Sequence, residues 1–161
     1  MKKRNILVTL ECFVHKNGKY LMLHRNTDKR IMPGVWMAPG GKREFNEGLF
    51  EATRREIFEE TGLTIKNLRV KVAANAYMKD IDQEVFFHFV FADYAGGTVK
   101  KSPEDGELKW LTPQEIGKLD NLIAEIRNIL PQLFTSTGIL SYTAVYEKGN
   151  ILTSFHLEDS K

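Results

Sequence analysis

Glu56, Glu59 and Glu60 stand three and four positions apart, in a stretch whose residues favour a helix. At 3.6 residues per turn their carboxylates leave one helical face within an arc of about 100°. Like charges so close destabilise a helix unless something neutralises them. A hard divalent cation does so, and Mg²⁺ takes oxygen ligands in octahedral geometry while keeping waters and substrate phosphates. The expected cofactor is therefore Mg²⁺, with Mn²⁺ as its substitute, and the expected substrate carries phosphate. On the carboxylates alone, a solvated acidic helix face competes with this explanation. The flanking residues weigh against it. Gly40-Gly41 precedes the helix and allows backbone to approach a ligand or metal closely. Such a loop also aims amide or carbonyl dipoles at a bound group. Two further acids, Glu44 and Glu47, follow, and Arg54-Arg55 lies beside the triad.

Gly41, Glu47, Arg55, Glu56, Ile57, Glu59, Glu60, Gly62 and Leu63 together resemble the Nudix box, residues 41–63. Its pattern is Gly, five residues, Glu, seven residues, Arg-Glu-aliphatic, one residue, Glu-Glu, one residue, Gly-aliphatic. Every fixed position is filled at the right spacing. The resemblance implies that Glu56, Glu59 and Glu60 bind divalent cations and that the carbonyl of Gly40 adds a ligand. It implies that Arg55 orients a glutamate by ion pairing, with Glu47 as partner. The implied fold is α/β (α+β), a mixed β-sheet sandwiched between helices, forming one domain over residues 1–161. The implied chemistry is attack of water at phosphorus, with a glutamate taking the proton. Candidates for that base are Glu56, or Glu104 and Glu107 in the loop before Trp110. Many members place Gly where this chain has Asn46, a residue that also tolerates a left-handed turn.

Outside the box the chain resembles the MutT-type branch, which removes oxidised purine nucleoside triphosphates. Trp36, Trp110-Leu111 and the segment from Gly138-Ile139-Leu140-Ser141-Tyr142 through Phe155-His156-Leu157 carry that likeness. Met37 stands where the mammalian-type enzyme has a base-binding Asn, and a thioether there can pack on a purine face. No adjacent acid pair opens the last long helix, and Asp120 is expected as a helix N-cap. Lys42, Arg43 and Arg25 are the candidate phosphate contacts. The expected activity is Mg²⁺-dependent hydrolysis of a nucleoside triphosphate, of the oxidised-purine kind, to monophosphate and pyrophosphate. Cleavage of ADP-ribose or a nucleotide sugar is the alternative substrate, and a non-catalytic nucleotide-binding module the alternative class.

The elements that must position these groups follow from periodicity. Residues 5–14 and 19–25 predict strands around the Asn17-Gly18 turn, where both residues tolerate positive φ. Residues 26–46 predict a loop broken by Pro33-Gly34 and Pro39-Gly40-Gly41. Residues 47–61 predict a helix that Gly62 ends. Residues 66–78 and 84–94 predict strands. The second has Val85, Phe87, Phe89 and Phe91 on one face and Phe86, His88, Val90 and Ala92 on the other, as a central strand would. Thr112-Pro113-Gln114-Glu115 predicts a capped helix start. The apolar stripe Leu119, Leu122, Ile123, Ile126, Ile129, Leu130 and Leu133 predicts a core-facing helix, with Pro131 as a kink. A strand pair at 139–147 and 151–157 closes the chain.

The bulk properties limit the classes. The chain has 161 residues, 42% hydrophobic and 27% charged, as expected of one soluble globular domain. Its 23 basic and 21 acidic side chains give a formal net charge of +2, too balanced for a dedicated polynucleotide binder. A small nucleotide is the expected partner, with no polynucleotide, no membrane, and a monomer or homodimer as the assembly. The lone cysteine, Cys12, is read as a buried structural thiol, and a cytoplasmic location is expected. Met1-Lys2-Lys3-Arg4 precedes too short an apolar stretch for a signal peptide. His15, His24, His88 and His156 show no ligand spacing and are read as structural.

Overall fold

The computed structural model describes residues 3–101 and 103–161. Its first strand, β1 (Ile6–Lys16), turns at Asn17 and Gly18, both at positive φ, into β2 (Lys19–Arg25). Two short strands follow, β3 (Trp36–Met37) and β4 (Gly40–Lys42), before helix α1 (Leu49–Thr61). The long strands β5 (Leu63–Met78) and β6 (Gln83–Gly97) flank a 3₁₀ turn at Lys79–Ile81. Strand β7 (Gly106–Leu111), helices α2 (Pro113–Gly117) and α3 (Ala124–Thr135), and strands β8 (Tyr142–Glu147) and β9 (Ile151–Leu157) complete the chain.

The strands form one mixed sheet in the order β3-β2-β1-β6-β5-β8-β9, with β4 paired to β1 and β7 to β2. The pairs β1·β6 and β5·β8 are parallel and the remaining pairs antiparallel. Alternation along β1 and β6 divides their side chains between two cores, because successive residues of a strand point to opposite faces. Phe13, Phe89 and Phe91 join Ile116 of α2 and Ile126, Ile129 and Leu133 of α3 on one side. Cys12, Val14, Val90 and Ala92 join Ile57 of α1 on the other. The sheet is thus sandwiched between helices, and β6 is central. Its second face opens at one end, where Phe86 is 39% exposed.

Three segments differ from the sequence-based expectation. The predicted loop 26–46 contains β3 and β4, because Trp36 and Met37 pair with His24 and Leu23, and Gly40, Gly41 and Lys42 pair with Glu11, Leu10 and Thr9. Glu107 lies on a strand, β7, which pairs with β2. The single helix expected after Thr112 is two helices. The Thr112 capping box forms as expected, but α2 ends at Gly117, leaving Leu119, Leu122 and Ile123 outside helix. Backbone pairing with Trp36 holds that segment extended: Trp36 N–H donates to Asn121 O (2.8 Å) and Ile123 N–H to Trp36 O (3.0 Å). Asp120 is consequently not an N-cap, since α3 starts after Ile123 without a side-chain cap. Pro131 lies inside α3, which continues through it.

Candidate active site

Helix α1 is fixed at both ends and along one side. The Glu51 carboxylate accepts from Gly48 N–H at 3.3 Å, and Gly62, in the left-handed region at φ 82°, donates to Phe58 O. Ala52 and Ile57 are fully buried, and the buried hydroxyls of Thr53 and Thr61 return to Leu49 O and Ile57 O at 2.7 and 2.6 Å. With that face committed to the core, Glu56, Glu59 and Glu60 stand on the side next to β4. The approach is close at Gly41, where a Cβ would lie 2.3 Å from Glu56 Oε2. A larger residue there would displace that carboxylate.

Arg55 organises the acids around it. Its Nε and one terminal nitrogen donate to the two oxygens of Glu47 at 2.6 and 2.9 Å. The other terminal nitrogen donates to Glu56 Oε1 (2.9 Å) and to Glu59 Oε2 (3.3 Å). A further bond reaches Lys42 O at 3.0 Å, tying α1 to β4. The Arg55 hydrogen bond, with one from Glu44 N–H, pulls the Glu47 carboxyl down to about 2. The positive φ of Asn46, 57°, provides the turn that Glu47 needs. Glu59 is the most open of the triad, its side chain 58% exposed.

Glu60 behaves differently. It accepts from Gly40 N–H at 2.9 Å, yet burial, with Asp105 and Glu56 nearby, pushes its carboxyl up to about 7. Asp105 is held below its usual value, first by Lys29, whose Nζ lies 2.7 Å away. Asp105 thus stays the more acidic of the two carboxyls, with Glu60 the less. As placed, no three acidic, histidine or cysteine side chains converge on one point among the described residues, since Arg55 occupies Glu56 and Glu59. The donor set still fits a hard cation in kind: oxygen atoms only, with an excess of negative charge around Glu60.

Gly40, Gly41, Glu56 and Asp105 border a cavity of about 440 Å³. The apolar side chains of Met78, Phe87 and Ile123 line it as well. Two acids lie in that surrounding. Glu125, 6% exposed, accepts from Tyr146 Oη at 2.8 Å, and burial pushes its carboxyl up to about 7. Glu11, opposite Gly40 on β1, has an Oε2 shielded from solvent and without a hydrogen-bond partner. Its carboxyl is held well above the usual range by burial, then by Glu125 and Glu60.

The structure brings Glu56, Gly40, Arg25, Met37 and Lys42 to the cavity. Arg25 Nε is engaged by Ile31 O at 2.8 Å. Arg43 is turned away and bonds Glu44 O and Glu47 O. Glu104 and Glu107 are exposed and do not line it; the residue between them that does is Asp105. Sequence reasoning missed Asp105, Glu11, Glu125 and Tyr146. A charged residue inside the apolar run of β1 was the available signal for Glu11, and an acid on the core-facing stripe of a helix the one for Glu125. The histidines lie elsewhere: His24 stacks on Trp36, and His88 Nδ1 lies 3.2 Å from Thr9 O.

Residues 8–133 match the family model of the NUDIX domain. A Nudix hydrolase of Bacillus subtilis (strain 168), YvcI, is 32% identical over 151 residues, which cover 91% of each chain. The nucleoside triphosphatase NudI of Enterobacter sp. (strain 638) is 26% identical over 149 residues, 87% of this chain and all of the relative. Among solved structures, the mutator MutT protein from Bacillus halodurans superposes with a TM-score of 0.82 at 28% identity, covering 94% of this chain and 97% of the other.

Proposed function

The chain belongs to the Nudix hydrolase family, and from that premise we propose that it hydrolyses a nucleoside triphosphate to monophosphate and pyrophosphate with Mg²⁺ as cofactor. One observation carries this reading. Glu56, held by Arg55, lines with Gly40, Gly41 and Lys42 a cavity that apolar side chains such as Met78, Phe87 and Ile123 line as well, a combination that suits phosphates and a base. The relative NudI, a nucleoside triphosphatase whose whole length matches 87% of this chain, supports the choice of substrate.

Glu56, Glu59, Glu60 and the Gly40 carbonyl would hold the cation. Bound there, it would offset charge on the diphosphate oxygens and lower the pKa of a bound water. The remaining roles fall to the chain's own groups. Arg55 keeps Glu47 ionised and holds Glu56 Oε1, leaving Oε2 beside Gly41 at the cavity, where Glu56 accepts the proton of the attacking water. Arg25 and Lys42, on the cavity wall, supply positive charge for the phosphates. Met37 borders the same space and offers a polarizable face to the base. The resemblance to the MutT-type branch makes an oxidised purine the finer expectation.

The test is a product analysis. Canonical and oxidised nucleoside triphosphates, ADP-ribose and nucleotide sugars are incubated with protein and Mg²⁺, with and without chelator, and products are resolved by chromatography. Monophosphate plus pyrophosphate from a triphosphate is expected. Selective cleavage of a diphosphate-linked sugar would replace the substrate, and no turnover of any compound would leave a nucleotide-binding module.

A further inference from the structure

We propose that Met37 is a site of reversible oxidation, converted by a peroxide to the sulfoxide, and that the modified residue weakens nucleotide binding in the cavity. The inference goes beyond hydrolysis and takes from that reading only the occupant of the cavity. The chain has five methionines. Met32, Met37 and Met78 line the cavity, although they come from the loop before β3, from β3 itself and from the end of β5. Met22, on β2, lies in the core at 0% exposed, and Met1 is outside the described residues. Leu7, Ile81 and Val85 border the same space. Branched aliphatic residues therefore fit there too, and apolar area alone does not call for three thioethers.

Access separates the methionines. Met32 and Met78 are 8% and 6% exposed, whereas Met37 is only partly buried. Its backbone is held by pairing with Leu23 and, through Trp36, by the bonds to Asn121 and Ile123. The strand thus keeps residue 37 at the cavity after its side chain changes. A thioether sulfur attacks one oxygen of hydrogen peroxide. The S–O bond forms, the O–O bond breaks, and the leaving oxygen departs as water with the proton of the oxygen transferred. Sulfur gives up two electrons and the peroxide takes them. The product is polar and chiral where the thioether was flexible and apolar. Its oxygen asks for a donor, and the cationic donors lining the cavity are Arg25 and Lys42, the groups that the phosphates need. The contact between sulfur and an aromatic ring is lost as well.

The native chain is treated with hydrogen peroxide and quenched with catalase. Oxidation of each methionine is followed by peptide mass spectrometry, and affinity for GTP by calorimetry in EDTA. Met37 is expected to oxidise first, Met32 and Met78 later and Met22 last, with the circular dichroism spectrum unchanged when Met37 alone is modified. Binding then weakens about 5–50-fold, the range for a polar group set against an apolar contact. GTP bound before treatment slows oxidation of Met37, and a methionine sulfoxide reductase restores the affinity. In Met37→Leu the affinities before and after treatment agree within about twofold, each ratio being taken within one protein so that the variant's own affinity does not enter. Met22 oxidising as fast as Met37, unchanged binding with Met37 fully oxidised, or the same loss in Met37→Leu overturns the proposal. Selective oxidation of Met37 that weakens GTP binding, in a chain that turns over no triphosphate, supports it while overturning triphosphate hydrolysis.

Discussion

Gly40, Gly41 and Glu56, which line the cavity, come with Glu47, Arg55 and Glu60 from a single run of chain, β4 to α1. A second set that lines it, Glu11, Phe87, Ile123, Glu125 and Tyr146, comes from β1, β6, the segment before α3, α3 and β8. The first set is held by short-range geometry: helical spacing, a glycine approach and one guanidinium that bonds three carboxylates. The second is held by the packing of the whole sheet. The acids differ accordingly. Glu47 sits against Arg55 and is pulled down to about 2, whereas Glu125 has only a hydroxyl for partner and is pushed up to about 7. A contiguous segment can supply the same phosphate chemistry in many proteins, while an assembled wall is free to vary with the substrate.

The contrast predicts that damage to the first set removes turnover and damage to the second changes selectivity and pH response. The largest effect is expected in Glu59→Gln and Glu60→Gln, each of which loses at least about 100-fold in kcat with an unchanged circular dichroism spectrum. Near-native kcat in both would remove the carboxylate row from the mechanism.

Next in size is a stability effect in the second set. Because the folded-state pKa of Glu125 is raised to about 7 from 4.5, the unfolded chain ionises first as pH rises. Stability is therefore lost between about pH 4.5 and 7, by on the order of 3 kcal/mol from this group. Glu125→Gln lacks that loss, so in metal-free denaturation curves it gains on the native chain from pH 5 to pH 8. Parallel pH profiles for the two proteins would contradict the burial of an uncompensated acid.

Arg55→Lys keeps the charge but cannot make the forked contact with Glu47 while reaching Glu56 and Lys42 O. A fall of about 10–100-fold in kcat is expected, with KM changed less. Equal loss through KM alone would assign Arg55 to substrate binding instead. The smallest expected effect is in Gly41→Ala, where the new methyl meets the end of the Glu56 side chain and not backbone. About a tenfold loss in kcat is expected if that carboxylate must shift, with melting temperature nearly unchanged. A drop in melting temperature without loss of kcat would mean that β4, not Glu56, gives way.

The same contrast explains what the sequence disclosed. The spacing of Glu56, Glu59 and Glu60, the Gly62 cap and the Arg55–Glu47 pairing are local or depend on one helix, so residue order carries them. Leu119, Leu122 and Ile123 have helical spacing too, but backbone pairing with Trp36, far away in sequence, overrides it. Glu104 and Glu107 were the plausible acids before Trp110, yet Asp105 faces the cavity. In a turn entering a strand, one position of register decides which side chain points inward. Glu11 and Glu125 each belong to an apolar pattern whose partners are distant, and only the assembled sheet places them in one space.

The most direct test of the central claim is the turnover of a nucleoside triphosphate as a function of free Mg²⁺ in the native chain, with chelator as the zero point. Saturable dependence on the cation, loss of turnover in EDTA and recovery on adding excess Mg²⁺ are predicted. Turnover that persists unchanged in EDTA would contradict the assignment of the α1 carboxylates to metal-assisted hydrolysis.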